Sequence, residues 1–321
     1  EFIDNDLNFI NKKIKDLESL VKSQNKNNNF SYFKEIKDQK EIFEIRKAGL
    51  NILMSMKGDK KPVAFIEDCA VTLDHLAEYT TKLKEIFKKY DTSGMFYAHA
   101  SVGTLHVRPV LNMKSDKDIN NMRKIAEEAF EMVKQYKGSH SGEHGDGIVR
   151  SEFHEKMFGK KIINAFEEVK DTFDHKNLLN PNKIVRPYKS NDRSLMRYKA
   201  NYKTEKISTH YDWSEWGQFS DAVEMCNNNG ACRKLDSGVM CPSYRVTKEE
   251  KDLVRGRANT LRLALSNQLP KGSFVSKEMY ESMELCVSCK ACQRECPMSV
   301  DIAKMKSEFL SCLLYTSDAA D

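Results

Sequence analysis

Charge of one sign is scarce in this chain of 321 residues: 52 Lys and Arg stand against 47 Asp and Glu, a net of only +5. An excess that small and that scattered leaves no electrostatic footprint for nucleic acid. Long apolar runs are missing too. The longest, around residues 309–315, falls far short of the roughly 20 residues a membrane helix needs. A starting Met is also lacking. The chain opens on Glu1 inside an amphipathic helical pattern (Leu7, Ile10, Ile14, Leu17, Leu20, Val21), so the natural N-terminus is expected upstream and no targeting signal is assigned. At the other end, residues 312–321 read either as an ordinary short tail or as a translated sequencing-library adapter; on the second reading the gene is expected to continue beyond Ser311 and the tail to take no part in the fold.

What is present is cysteine, nine in all, with seven inside residues 226–296. Clustering of that kind in a large chain argues for metal rather than disulfides. Cys312 falls in the tail, and the isolated Cys69 reads as a buried, inert thiol. Cys286-x2-Cys289-x2-Cys292-x3-Cys296-Pro297 has ferredoxin spacing. Three thiolates on one tight turn cap three irons of a cube, and the fourth turns toward a neighbouring cluster. A zinc site would call for two CxxC pairs with a finger-length insert between them. The upstream group, Cys226-x2-Asn229-x2-Cys232-x8-Cys241-Pro242, keeps that frame with Asn229 in a cysteine's place. By exchange of fourth ligands, Cys241 is expected to complete the [4Fe-4S] cluster of Cys286, Cys289 and Cys292, while Cys296 joins Cys226 and Cys232. The second cluster would then be of three-iron type, or of four-iron type with water or Asn229 at its last corner. The alternative is a single cluster, with Cys226 and Cys232 merely structural. Arg255 and Arg257 read either as a solvated helix face or as charges that offset the clusters.

Periodicity predicts strands at 62–66, 94–100 and 105–111, and helices at 73–90, 116–136 (opened by Ser115) and 160–173. This order suggests an α+β domain of ferredoxin-like type. Strand signals then vanish. Helices are expected at 214–226, 248–268, 277–286 and 300–310, so an all-α iron–sulfur domain follows a boundary near Arg197. The expected segments are a helical connector at 1–40, the α+β domain at 41–190, a linker at 191–213, the helical domain at 214–311 and the tail.

A second constellation lies in the α+β part. His99 and His106 would face opposite ways on one straight strand, but a turn at 102–104 lets them converge. The loop Ser141-Gly-Glu143-His144-Gly145-Asp146-Gly147 adds a carboxylate, an imidazole and glycines that permit close backbone approach. Two histidines and a carboxylate make a divalent-metal triad with open positions. On residue types alone, ordinary core or surface histidines are an equally good reading.

Residues 43–187 resemble the C-terminal domain of FAD-linked oxidases of the vanillyl-alcohol oxidase type. The matching stretches are Phe43-Glu-Ile-Arg-Lys-Ala-Gly49, Phe65-Ile-Glu-Asp68, His99-x6-His106, Gly142-Glu-His-Gly-Asp-Gly147 and Leu179-Asn-Pro-Asn-Lys-Ile184. Residues 220–311 resemble the iron–sulfur part fused behind that domain in flavin/iron–sulfur dehydrogenases of D-2-hydroxy acids such as D-2-hydroxyglutarate, D-lactate and glycolate. The stretches are 226–232, Gly238-Val-Met-Cys-Pro-Ser-Tyr244, Arg255-Gly-Arg-Ala-Asn259 and 286–297. The resemblance implies FAD as cofactor, with an FAD-binding domain ahead of Glu1. It implies His144 as the base and His99, His106 and Glu143 as ligands of a divalent metal (Zn, Mn or Fe). Arg46 reads equally as the group that takes the substrate carboxylate or as an exposed helix charge; Asn180, Lys183, Glu67, Glu143 and Gly145 would lie toward the cofactor, with a plain helix-ending turn as the alternative for Asn180 and Lys183. Asn182 stands where many relatives have glycine, a departure that puts the flavin contact there in doubt. The expected partners are a small 2-hydroxy acid and a one-electron carrier or quinone, in the cytoplasm or at the membrane periphery. The fragment alone is expected to be inactive. A non-catalytic electron-transfer subunit is the alternative, and the His/Glu loop speaks against it, because a pure carrier has no need of one.

Overall fold

The structure is a computed structural model that describes residues 2–24 and 29–317. Its compact units are Glu1–Leu50 and Asn51–Asp321. The first holds helix α1, Leu7–Gln24, and most of helix α2, Ile36–Met54; neither helix buries a residue. The expected polar link after α1 falls partly on residues 25–28, outside the described residues, as does the end of the expected tail, 318–321.

The second unit begins with strands β1 (Lys60–Pro62) and β2 (Cys69–Ala70), helix α3 (Leu73–Lys89), strands β3 (Gly94–His99) and β4 (Thr104–Asn112), and helix α4 (Asp116–Gln135). β4 is the spine. It pairs antiparallel with β3 from Gly94↔Pro109 to His99↔Thr104, with β1 at its C-terminal end and with β2 at its N-terminal end. Seven of its nine residues are buried, as expected of a strand covered on both faces. Leu105, Val107 and Leu111 pack with Tyr79, Leu83 and Phe87 of α3 and with Ile125, Ala129 and Val133 of α4. The helical residues recur every three or four positions, which is the stripe that drives each helix onto the sheet. Ser115 caps α4 by accepting from the Asp118 amide at 3.4 Å.

Gly103 makes the turn between β3 and β4 possible. Its φ is +75°, and a Cβ there would meet the Val71 carbonyl oxygen at 1.9 Å. The strand expected at 62–66 forms instead at Lys60–Pro62. After Pro62 one more amide, that of Val63, bonds to Pro109 (2.8 Å), and the chain then leaves the sheet. Short helices α5 (Gly147–Arg150) and α6 (His154–Phe158) lead to α7 (Lys160–Phe173).

Helices α8 (Phe219–Glu224), α9 (Pro242–Thr247), α10 (Val254–Leu265), α11 (Lys277–Glu284), α12 (Ala291–Glu295) and α13 (Ile302–Ser317) form the remainder. Among the described residues no strand follows Asn112. Three of them are shorter than expected, whereas α13 runs on through Ser317, so the expected tail does enter the fold: Cys312 and Leu313 pack against the helical core. The one predicted at 214–226 begins only at Phe219, because Gly217 sits at φ +107°. The one predicted at 248–268 is a 3-10 turn, an extended Leu253 and then α10.

The chain is therefore mixed helix and sheet, mostly helical. A ferredoxin-like arrangement is a finer statement than strands of three and two residues carry. The expected linker at 191–213 lies inside the second unit. Lys114 Nζ stands 2.6 Å from both Asp59 and Glu224 and 3.5 Å from Asp221, and Arg197 donates to the Cys226 carbonyl at 2.7 Å.

Candidate metal and cluster sites

His99 ends β3 and His106 lies on β4, opposite Tyr97. Same-face residues on paired strands are two apart, so the turn at Gly103 puts both imidazoles on one face. Their ring centroids are 5.1 Å apart. The loop between α4 and α5 brings the other half of the site. Ser139 exchanges backbone hydrogen bonds with Ala70, and the Gly142 amide bonds to Asp68 (2.7 Å). Gly142 packs closely there: a Cβ would lie 3.2 Å from Asp68 and 3.3 Å from Thr104.

Asp68 holds this loop. It is wholly buried, and its carboxylate accepts from the amides of Glu143 (2.8 Å) and His144 (2.6 Å). Burial pushes its pKa up, but the two amides outweigh burial and the carboxyl sits below its ordinary value. Its oxygens are spent on the loop, which makes Asp68 a positioning residue rather than a ligand. Asp68→Asn is expected to cost about 2–4 kcal/mol of stability, read by denaturant unfolding, since charge-assisted bonds to a buried carboxylate are lost. The sign in pH follows. Because the folded pKa is depressed, Asp68 stabilises fully above its unfolded value of about 3.9 and loses this contribution as pH falls through the folded value. An acid limb unchanged in the variant would contradict this role.

Three imidazoles meet at Glu143. Its Oε1 stands 3.1 Å from His106 Nε2, 3.4 Å from His144 Nε2 and 3.5 Å from His99 Nε2. Ligands of one tetrahedral zinc ion, at 2.0–2.1 Å from it, stand roughly 3.3 Å apart, so the donor set fits a divalent cation. The set whose ligand atoms all lie within 4.8 Å of one another is Asp68, His106, Glu143 and His144; it does not include His99. Burial, followed by the neighbouring His144, lowers the His106 pKa and keeps that ring in its neutral, ligating form. His144 stacks on His106 with centroids 4.9 Å apart, and its Nδ1 is 3.5 Å from Glu67. Arg108 fixes Glu67 through Nε at 2.7 Å.

Gly145, at φ +77°, and Glu67 stand beside this site. Asn180 and Lys183 pair with each other at 3.3 Å, and Asn180 and Asn182 have φ +47° and +59°. Arg46 lies on α2, in the other unit. Sequence reasoning missed the parts played by Asp68, Arg108 and Arg150. The signal for Asp68 was there: a carboxylate in the apolar run from Phe65 to Val71 needs buried donors.

The cysteines fall into two sets. Cys241, Cys286, Cys289 and Cys292 line one cavity, together with Arg257. Cys226, Cys232 and Cys296 form the other: burial raises the Cys226 and Cys232 thiols, and repulsion among the three adds to the rise. Burial also pushes the Cys292 thiol up to about 11. Thiols so placed ionise only with a cation to hold the charge, which suits the ligands of an iron cluster. The arginines of α10 divide between the sets. Arg257, 0% exposed, reaches Cys241 Sγ at 3.6 Å and the Asp252 carbonyl at 2.7 Å. Arg255 acts electrostatically on Cys226 and Cys232. Asn229 is spent within its own turn, donating to Asn227 at 2.7 Å and accepting from Ala231 at 2.8 Å.

Residues 1–184 match the family described as FAD linked oxidases, C-terminal domain, and residues 222–300 match the 4Fe-4S dicluster domain. The chain belongs to the FAD-linked oxidase family. The match takes in residues 1–42, which the motifs had left outside. Among curated relatives, D-2-hydroxyglutarate dehydrogenase of Escherichia coli is 30% identical over 312 residues, covering 86% of this chain and 30% of that protein. The enzyme of the same name from Pantoea ananatis is 30% identical over 304 residues, covering 84% and 29%. Glycolate oxidase subunit GlcD of Bacillus subtilis is 29% identical over 143 residues, covering 44% and 30%. The chain thus spans about 30% of the length of the dehydrogenases it matches. The matches support FAD and an iron–sulfur cluster as cofactors. Among the described residues no helix is long and apolar enough to cross a membrane.

Proposed function

We propose that this chain is the substrate-facing and electron-carrying part of a cytoplasmic dehydrogenase that oxidises a D-2-hydroxy acid, D-2-hydroxyglutarate or D-lactate, to the 2-oxo acid. The observation that carries the reading is the meeting of three imidazoles on Glu143 Oε1 within the unit that also holds both cysteine sets. A pure electron carrier needs only the cysteines. When bound, FAD supplies a hydride acceptor and a divalent cation held by His99, His106 and Glu143 supplies Lewis acidity.

The chain's own groups do the rest. His144 takes the hydroxyl proton on Nε2. Glu67 faces its Nδ1, so the proton of the neutral ring sits there and Nε2 is left as acceptor. Arg108 holds Glu67 in place. Arg46 is assigned to the substrate carboxylate, and Asn180, Lys183 and Gly145 to the cofactor's side. Cys241, Cys286, Cys289 and Cys292 hold a [4Fe-4S] cluster. Cys226, Cys232 and Cys296 hold a second, with a non-cysteine corner that Asn229, turned into its own loop, leaves to water. Arg257 and Arg255 offset the charge of one cluster each, and a one-electron carrier or quinone takes the electrons onward.

The test is anaerobic mixing of the full-length, flavin-loaded enzyme that contains this chain with D-2-hydroxyglutarate, D-lactate or glycolate, followed by flavin absorbance and cluster electron paramagnetic resonance. One of the acids should bleach the flavin and then raise a reduced-cluster signal. Clusters that reduce with dithionite while no 2-hydroxy acid bleaches the flavin would leave only the electron-carrier alternative.

A further inference from the structure

Behind the loop that carries Glu143 and His144 lies a second group of ligand-type side chains that the proposed reaction does not use. His140 precedes the loop, Asp146 ends it as the residue before α5, and His154 opens α6. The two histidines are 1% and 2% exposed, and Asp146 is half-buried. His140 Nε2 stands 3.4 Å from Asp146 Oδ1, and His154 Nε2 stands 3.0 Å from Oδ2. One ligand atom from each residue lies within 4.8 Å of the other two.

These contacts are poor hydrogen bonds. All four ring nitrogens and Asp146 Oδ1 are buried without a hydrogen-bond partner. Nitrogen and oxygen atoms this close, yet not aimed at one another, have the disposition of co-ligands. Ligands of one tetrahedral ion stand roughly 3.3 Å apart with their lone pairs directed at the ion. Even a half-buried carboxylate is favoured by a counter-charge. Arg150 is near, but its Nη groups donate to the Gly145 and Glu67 carbonyls at 2.7 and 2.6 Å.

We propose that His140, Asp146 and His154 bind a divalent cation of the zinc class, distinct from any ion at His99, His106 and Glu143. Two imidazoles and one carboxylate are a borderline N/O donor set. The rings of Phe130 and Phe158, 5.3 and 5.5 Å from His140, wall the site, leaving room for few waters. A low coordination number favours zinc over the octahedral ions. The ion would be structural. Asp68 pins the first half of the loop through the Glu143 and His144 amides, and the ion would pin the second half through Asp146.

The test uses the chain with its clusters reconstituted, so that the cysteines are occupied, and Zn(II) alone as the titrant. Two zinc ions per chain are expected in the wild type, one in His154→Gln and one in His106→Gln. In His106→Gln, Co(II) should still give a visible absorption band without thiolate charge transfer, and Asp146→Asn added to that variant should abolish it. Zinc binding in His154→Gln equal to wild type, or no cobalt band in His106→Gln, would overturn the proposal. If His154→Gln fails to fold, the cobalt spectrum of His106→Gln decides by itself. One zinc in the wild type that persists in His106→Gln and vanishes in His154→Gln would uphold this site and remove the ion from the proposed reaction centre, so the two ideas fail separately.

Discussion

Cys241→Ser is expected to remove the cluster of Cys286, Cys289 and Cys292, leaving intact the one nearer to it in sequence. Cys241 shares its cavity with the downstream three, not with Cys226 and Cys232. The reason is built into the Cys-Pro step. Cys241 is the extended residue before α9, with Pro242 fixing the first helical turn, so its side chain leaves the path of its own loop. Cys296 is likewise extended and followed by a proline, but it closes α12 instead of opening a helix, and it acts electrostatically on Cys226 and Cys232. Iron and acid-labile sulfide should fall by about half in Cys241→Ser, and the surviving resonance should be that of the three-cysteine cluster. Cys296→Ser should leave the complementary signal. Loss of the three-cysteine signal in Cys241→Ser would mean that each cluster is held by its own segment, and the exchange would be wrong.

His144→Asn is expected to lower kcat by roughly 10²–10⁴-fold in the full-length, flavin-loaded enzyme that contains this chain, the usual worth of a general base. KM should change little, because the substrate carboxylate is assigned elsewhere. Asparagine keeps the backbone amide that Asp68 holds, so the loop stays in place. An intact flavin spectrum and unchanged melting would show that only proton transfer is lost. Activity within a few-fold of wild type would remove His144 from the reaction and leave the stacked pair with His106 as mere packing.

Some of this was legible in the sequence. Cluster ligation is written in spacing alone, because thiolates on one turn must sit at fixed intervals. The approach of His99 to His106 was legible too, since a turn at Gly103 fixes a face once the strands are seen. What lay hidden depends on partners far apart in the chain. Asp68 meets Glu143 and His144 only after β2 has been laid against residues 139–142. Neither β2, two residues long, nor that bridge has a periodic signal. Arg108 reads as an ordinary exposed charge until β4 places it against Glu67. His140, Asp146 and His154 have no spacing motif, because three short elements rather than one helix face bring them together. In the helical part, periodicity overran the starts of α8 and α10, where Gly217 and an extended Leu253 interrupt the chain, and it stopped short of the end of α13.

The seam at Lys114 bears on how such a protein can be cut. A polar stretch near Arg197 invites truncation into a flavin-side half and a cluster half. Yet the half-buried ammonium sits among Asp59, Asp221 and Glu224, two of which come from the cluster side. Separation would strand a cation in one piece and a buried carboxylate in the other, each without its counter-charge. The linker is thus a join in the gene's text but a weld in the folded chain. Pieces prepared on either side of it would report on a damaged edge as much as on themselves.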